Sequence, residues 1–205
     1  MPRTRVVGAL LFPGFELLDV YGPLEMFGVL PEHFRLVMLG ESTGPVASAQ
    51  GPQGLVERTL AYPGPVDLLL VPGGIGTRAA VRSPAILEFV RSMQPAVEYL
   101  ASVCTGAGVL AASGVLDGRR ATTNKMVFHW PQSVGPRVQW VPEARWVVDG
   151  NVVTSGGVAA GMDMALALIG RMLGEEVATA AARQTEYEWH RDADWDPFAK
   201  LAGLV

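Results

Sequence analysis

The single cysteine of the chain, Cys104, lies at the junction between an apolar run and a run of small residues. The apolar run, Val97–Val103, predicts a buried strand, and Thr105–Val115 predicts a helix. In an open parallel sheet, ligands bind beyond the carboxyl ends of the strands, and the free N–H groups that begin a helix stabilise negative charge. Such a position lowers the pKa of a thiol, and the thiolate is the nucleophilic form. The position therefore makes Cys104 a candidate nucleophile, for which we would expect a lowered pKa.

The residues after the cysteine (Thr105, Gly106, Ala107 and Gly108) are small enough for a sharp strand-to-helix turn. This is the geometry of the nucleophile elbow of α/β hydrolases, with cysteine in place of serine. The leading glycine of that motif is absent, because its position holds Ser102. The alternative is a small buried hydrophobic residue, which is a common role for a lone cysteine. The junction alone does not distinguish the two.

Length and composition restrict the class of protein. With 205 residues, of which 49% are hydrophobic and 18% charged, the chain predicts one globular domain over residues 1–205. The net charge of −4 gives no electrostatic reason to expect nucleic acid. A single cysteine excludes an internal disulfide framework, and a free thiol is typical of a reducing cytosol. We therefore expect a cytoplasmic protein that does not bind nucleic acid.

The longest apolar segment, Val158–Leu173, predicts a buried helix. It is shorter than the ~20 residues of a membrane span, and Asp163 and Arg171 interrupt it. We therefore expect no membrane association. With one cysteine and scattered histidines, we expect no metal site either.

Short apolar runs alternate with helical patterns along the chain. The predicted strands are Arg5–Phe12, Phe34–Leu39, Asp67–Val71 and Val97–Val103, followed by a hairpin of Arg145–Val148 and Asn151–Thr154 around Asp149-Gly150. The predicted helices are Val20–Leu30, Pro84–Met93 with Ser83 as N-cap, Thr105–Val115, Val158–Leu173 and Glu175–His190. This alternation predicts an α/β sandwich around a mostly parallel sheet.

Four blocks of the sequence resemble the ThiJ/PfpI superfamily, over nearly the whole chain. They are Leu10–Pro23, Asp67–Gly74, Ser102–Gly108, and Gly118–Asn124 together with Thr154–Asp163. The pair of LLD-x-x-GP and Cys-Thr-Gly is similar to the isocyanide hydratase branch and to the amidase-like domain of some AraC-type regulators. Those regulators also carry a helix-turn-helix region, for which we expect no room before Val205. The resemblance implies a three-layer, flavodoxin-like fold with a nucleophile elbow, no cofactor, and a homodimer.

The resemblance also implies site residues. Cys104 matches the nucleophile, and Asp19 matches the carboxyl group that approaches the thiol. Thr105 follows the nucleophile. The backbone N–H groups of Gly74 and Thr105 match the donors that stabilise a developing anion. Glu16 is a possible second acid.

Without the resemblance, Asp19 would be interpreted as the N-cap of the helix Val20–Leu30, a common role for aspartate. Two positions depart from the pattern of relatives. Thr105 replaces the histidine of the protease-like branch, so we expect no peptidase activity. Asn124 and Lys125 follow Ala121-Thr-Thr, where relatives with hydratase activity tend to have histidine and tryptophan.

The function that these residues imply is a cofactor-independent, lyase-type reaction on a small electrophile. Cys104 would attack the carbon of an isocyanide, Asp19 would supply a proton to give a thioimidate, and water would release an N-formamide. One alternative is a glyoxalase or deglycase that acts on α-oxoaldehydes. Two others are a non-enzymatic sensor of oxidative stress, whose thiol Asp19 would cap after oxidation, and a binding module.

Weaker patterns favour structural roles. Gly74–Ala79 has the loose form of a dinucleotide motif, but it does not follow the first strand. The aspartates of Arg191–Phe198 do not have the spacing of a calcium loop, so we expect a solvated tail anchored by Trp195 and Phe198. Glu186 and His190 are predicted to share a helix face as a solvated pair.

Overall fold

The computed structural model describes residues 3–205, so the first two residues of the predicted domain lie outside the described part. The strands are β1 (Arg5–Leu10), β2 (Phe34–Gly40), β3 (Gly44–Ala47), β4 (Gln53–Val56), β5 (Arg58–Thr59), β6 (Leu68–Val71), β7 (Tyr99–Ser102), β8 (Arg120–Ala121), β9 (Gln139–Trp140), β10 (Trp146–Asp149) and β11 (Val152–Ser155). The helices are α1 (Leu17–Gly28), α2 (Thr77–Ala80), α3 (Pro84–Met93), α4 (Gly106–Ala112), α5 (His129–Val134), α6 (Ala160–Leu173), α7 (Glu175–Gln184) and α8 (Pro197–Leu201).

Seven strands form the central sheet, in the order β10-β11-β7-β6-β1-β2-β5. The pairs from β11 to β5 are parallel, and only β10 is antiparallel to its neighbour. Counted among themselves, β2, β1, β6, β7 and β11 have the flavodoxin order 2-1-3-4-5. The predicted fold class is therefore confirmed.

The sheet lies between two groups of helices. One group packs α1, α6 and α7 together, and the other packs α2, α3, α4 and α5. Every residue of β6 and β11 is buried, because a parallel strand covered on both faces has no solvated side. Within residues 3–205, no helix has both the length and the apolar character that a membrane crossing requires.

Two local predictions are confirmed by backbone geometry, the second with its turn shifted by one residue. Ser83 caps α3, because its Oγ accepts a hydrogen bond from the N–H of Ile86 at 3.3 Å. The predicted hairpin of β10 and β11 is present, but its two-residue turn is Gly150-Asn151, one position later than predicted, because Asp149 still pairs with Val152. Gly150 has a φ of +63°. Glycine tolerates that left-handed conformation without steric cost.

The prediction of one helix over Glu175–His190 is wrong, because α7 ends at Gln184. Glu186 adopts a positive φ of +50°, and the chain leaves the helix there. The turn carries the Tyr187 hydroxyl to Asp163 Oδ1 at 3.0 Å, and the N–H of His190 donates to the same oxygen at 2.9 Å. Glu186 and His190 therefore do not share a helix face.

The predicted anchoring of the tail is also wrong. Trp195 and Phe198 are about half exposed, at 53% and 50%. The buried anchor is Asp196, which is 3% exposed. Its Oδ1 caps α8 by accepting from the N–H of Phe198 at 3.1 Å. The buried carboxylate has ion-pair partners inside the fold, which the local sequence did not indicate.

Candidate functional site

The candidate site lies beyond the carboxyl ends of three neighbouring strands. Asp19 follows β1, the Gly73-Gly74 turn follows β6, and Cys104 follows β7. These strands are adjacent in the order β7-β6-β1. The strand order reverses between β1 and β6, and such a switch point is where open α/β sheets bind ligands.

Cys104 occupies a strained turn between β7 and α4. Its φ of +56° is unusual for a residue other than glycine, and its N–H donates to the carbonyl of Gly156 at 2.9 Å. The helix that follows packs tightly on β6, since a Cβ on Gly106 would lie 2.3 Å from the carbonyl oxygen of Val71. The expected elbow geometry therefore depends on the absence of a side chain at Gly106.

Asp19 is fully buried beside the thiol. It lies inside the first turn of α1, and the N-cap position is Glu16, so the interpretation of Asp19 as a helix cap is wrong. Its Oδ2 accepts a hydrogen bond from the N–H of Gly73 at 2.8 Å. Its Oδ1 is buried and has no hydrogen-bond partner among the described residues. One side of the carboxyl group is fixed, and the other is free to hold a proton.

The surroundings of Asp19 favour its neutral form. Burial raises the pKa of Asp19 from 3.8 to about 7. The negative charge of Glu16 adds to this increase, whereas the Gly73 N–H and the Cys104 thiol oppose it. The carboxyl group can therefore gain and lose a proton near neutral pH.

The thiol receives several hydrogen bonds but is surrounded by protein. The Asn124 side-chain amide donates to Cys104 Sγ at 3.2 Å, and the backbone N–H groups of Thr105 and Val158 also lower the thiol pKa. Burial and the negative charge of Asp19 outweigh these donors and raise the pKa of Cys104 to about 12. The expected lowering of the thiol pKa is therefore wrong while Asp19 is ionised. When Asp19 is protonated, its negative charge no longer raises the pKa of Cys104, and only the effect of burial remains.

The two backbone donors expected from the sequence, the N–H groups of Gly74 and Thr105, both have partners within the protein. The N–H of Gly74 donates to Thr105 Oγ1 at 3.0 Å. The Thr77 hydroxyl lies 3.2 Å from the same oxygen and donates to the Gly74 carbonyl at 2.7 Å. The Thr105 N–H contacts the sulfur. Thr105 Oγ1 therefore occupies the Gly74 N–H. A substrate oxygen or carbon that accepts a hydrogen bond from this N–H would have to displace Thr105 Oγ1.

Comparison with known proteins adds to this geometry. Residues 5–171 match the model of the DJ-1/PfpI family. The chain belongs to the DJ-1/PfpI family. The match includes Cys104, Asp19 and the Gly73-Gly74 turn.

Individual members of the family cover most of the chain. Isonitrile hydratase of Pseudomonas putida is 36% identical over 183 residues, which are 88% of this chain and 78% of that protein. The HTH-type transcriptional regulator CdhR of Pseudomonas aeruginosa is 30% identical over 85% of this chain, which spans about half (53%) of the regulator. The crystal structure of a ThiJ/PfpI family protein from Pseudomonas syringae superposes with a TM-score of 0.83 at 30% identity, covering 91% of this chain and 76% of that one.

Glu16, the possible second acid, is turned toward another partner in this DJ-1/PfpI protein. Its Oε1 accepts a hydrogen bond from the Gln50 side chain at 2.5 Å, and its N–H donates to the Gly73 carbonyl at 2.9 Å. Its charge reaches Asp19 and raises the pKa of that group. In this geometry Glu16 influences the site through Asp19.

Sequence reasoning missed three groups that touch the site of this DJ-1/PfpI protein. Asn124 bonds the sulfur, the Gly73 N–H holds Asp19, and the Val158 N–H points at the thiol. The sequence did contain a signal for Asn124, because this residue departs from the pattern of relatives with hydratase activity. No local signal marked Gly73 or Val158, because both contribute backbone groups only.

Arg78 is a charged residue near the site, and its charge interacts with Cys104. Its guanidinium stacks on the Trp130 ring, 3.3 Å from the centroid, and donates to Thr77 Oγ1 at 3.2 Å. Burial lowers the pKa of Arg78. Among the residues that the structure describes, no group of three or more His, Cys, Asp or Glu side chains could hold a metal ion.

Proposed function

We propose that this protein hydrates isocyanides to N-substituted formamides, with Cys104 as nucleophile and Asp19 as the proton carrier. The observation that supports this most is the buried pair itself. A carboxyl group with a pKa of about 7 lies beside the thiol, and its Oδ1 has no hydrogen-bond partner within the described part of the chain. Proton transfer is most efficient when the pKa of the catalytic group lies near the working pH. The 36% identity to an isonitrile hydratase supports the same reaction class.

The first half of the reaction forms a covalent thioimidate. Asp19, ionised, accepts the proton of the Cys104 thiol, and the sulfur forms a bond to the terminal carbon of the isocyanide. The electron pair that develops on that carbon takes the proton back from Asp19. The product is R–N=CH–S–Cys104, and Asp19 is again ionised. Asp19 thus acts first as a base and then as an acid.

The second half releases the product with one molecule of water. Water adds to the thioimidate carbon, the nitrogen gains one proton, and the carbon–sulfur bond breaks. The sulfur leaves as thiol, and R–NH–CHO is released. The Thr105 N–H would stabilise the charge that develops on the tetrahedral centre, and the Gly74 N–H would join it once the substrate displaces Thr105 Oγ1.

Turnover of a simple isocyanide to its formamide tests the proposal. We expect Cys104→Ala to abolish turnover, and Asp19→Asn to lower kcat by at least about a hundredfold, because the proton carrier is lost. Asp194→Asn is the matched control, since Asp194 is exposed and is not among the residues that line the cavity beside Cys104. Activity retained by Cys104→Ala would refute the covalent route. Turnover of methylglyoxal to lactate without turnover of any isocyanide would refute the substrate class.

The pH profile tests the role of Asp19. Because Asp19 must be ionised to accept the thiol proton, kcat/KM is expected to rise with pH through about 7 and then level off. Asp19→Asn is expected to lose this step. A wild-type profile that falls between pH 6 and 8 would contradict the assignment.

A further inference from the structure

A cavity of about 230 Å³ lies next to the nucleophile and has no part in the scheme above. Two of its lining residues, Asn124 and Val158, contact the Cys104 sulfur. The outer wall is formed by Met126 and Phe198, whose side chains are 68% and 50% exposed. The cavity is therefore open to solvent on one side, and two residues of its opposite lining also contact the sulfur.

The charged groups of this cavity are neutralised inside the protein. Lys125 and Asp196 line it, but their side chains are only 1% and 2% exposed, with 3.8 Å between Nζ and Oδ2. Lys125 Nζ also donates to Thr122 Oγ1 at 2.6 Å and to the Ala144 carbonyl at 2.5 Å. The cavity thus offers an occupant apolar surface and no free charge.

Two adjacent glycines allow the C-terminal helix to approach the site. A Cβ on Gly156 would lie 2.7 Å from Asp196 Oδ2, and a Cβ on Gly157 would lie 2.7 Å from Asn124 Nδ2. The carbonyl of Gly156 also accepts the N–H of Cys104. One short loop therefore contacts the nucleophile, the amide that bonds its sulfur, and the carboxylate that caps α8.

We propose that this cavity receives an uncharged, apolar substituent of the substrate, and that Phe198 on α8 sets the size it accepts. The proposal rests on the proposed function, in which the substituent is the group on the isocyanide nitrogen. Pockets for drug-sized ligands measure about 300–1,000 Å³, so a smaller cavity suits one alkyl or aryl group rather than a whole large ligand. Phe198 projects from a helix whose position is fixed by the buried Asp196.

Labelling of Cys104 with N-methyl-, N-cyclohexyl- and N-phenylmaleimide tests the cavity without any need for turnover. We expect Phe198→Ala to raise the rate for the bulky reagents relative to the methyl reagent at least about fivefold, and Phe198→Trp to lower it. Leu201→Ala is the matched control, because Leu201 is exposed on the same helix and does not line the cavity. Its ratio is expected to equal that of wild type.

The same variants, assayed with methyl, cyclohexyl and phenyl isocyanide, are expected to show the same order in kcat/KM. The inference would be overturned if the ratio of the labelling rates for bulky and methyl maleimides were equal in all variants. It would also be overturned if no maleimide labelled Cys104. A change in oligomeric state of Phe198→Ala without a change in ratio would assign Phe198 to an interface instead. If the ratios change but no isocyanide is turned over, the cavity stands and the proposed function fails.

Discussion

Two buried carboxylates of this DJ-1/PfpI protein, Asp19 and Asp163, are equally inaccessible, both at 0% exposure. Asp163 is fully satisfied. Its Oδ2 accepts from Arg145 Nε at 2.7 Å, and its Oδ1 accepts from the Tyr187 hydroxyl and the His190 N–H. Asp19 Oδ2 accepts a backbone hydrogen bond from Gly73, and among residues 3–205 no Lys, Arg or His forms an ion pair with Asp19. The protein thus compensates one buried charge and leaves the other to respond to protonation.

The different surroundings of the two carboxylates suit them to different roles, a structural role for Asp163 and a chemical role for Asp19. A paired carboxylate in the interior holds elements together, and its removal leaves an uncompensated cation. An unpaired carboxylate destabilises its own ionised form, so it stays able to accept and release a proton. Perturbed groups of the second kind cluster at functional sites. The predictions below test this contrast in order of expected effect.

Asp163→Asn is expected to have the largest effect on folding. The substitution leaves the buried Arg145 with only Asp196 as a charge partner, at the longer distance of 3.9 Å. We therefore expect a loss of about 3 kcal/mol in the free energy of unfolding, at the low end of the range for a broken buried pair. Urea denaturation at pH 7 measures it, with the exposed Asp194→Asn as matched control. Because Asp163 does not touch the thiol, the fraction that remains folded is expected to keep wild-type labelling of Cys104. A loss below 1 kcal/mol would show that the pair does not stabilise the fold.

Asp19→Asn is expected to stabilise the fold in a pH-dependent way. The folded-state pKa of Asp19, about 7, lies above its ordinary 3.8, so wild type loses stability as pH rises through that window. Asparagine does not titrate. The variant is therefore expected to gain about 2–4 kcal/mol relative to wild type between pH 4 and pH 8. Urea denaturation at the two pH values measures the gain, and a pH-independent difference would contradict the raised pKa.

Ser83→Ala is expected to have the smallest effect and calibrates the other two. It removes the N-cap of α3, at a cost of about 1 kcal/mol, because the Ile86 N–H loses its acceptor. Isocyanide turnover is expected to be unchanged. Ser42→Ala, in an exposed turn, is the matched control for the serine side chain. A loss of turnover in Ser83→Ala would mean that the two parts of the molecule are coupled.

Local sequence features predicted the parts of the fold that depend on near neighbours. The cap at Ser83 and the hairpin of β10 and β11 are fixed by residues within a few positions, although the turn of the hairpin lies one residue later than predicted. The strands were predicted because the interior of a parallel sheet demands continuous apolar runs. Cys104 was placed correctly after β7 because strand and small-residue helix adjoin in the sequence.

The groups that sequence reasoning missed depend on distant partners. Asp196 forms an ion pair with Lys125, which is 71 positions away in the sequence. No local pattern could therefore predict that Asp196 anchors α8. Helix α7 ends early, at Gln184, and the chain that follows brings the Tyr187 hydroxyl to Asp163, which lies 24 positions earlier in the sequence. The start of a helix after Cys104 predicted a lowered thiol pKa. Burial and the charge of Asp19 raise the thiol pKa instead, and neither can be read from the sequence around Cys104.

The most direct test of the Cys104–Asp19 pair is the rate of iodoacetamide alkylation of Cys104, measured by intact mass between pH 8 and 10 in wild type, Asp19→Asn and Asp194→Asn. The account predicts slow alkylation in wild type and in the control, because the pKa of the thiol is raised to about 12. It predicts alkylation of Asp19→Asn at least about tenfold faster, because one pKa unit of thiol shift corresponds to tenfold more thiolate. Equal rates in all three proteins would contradict the pairing of Cys104 with Asp19.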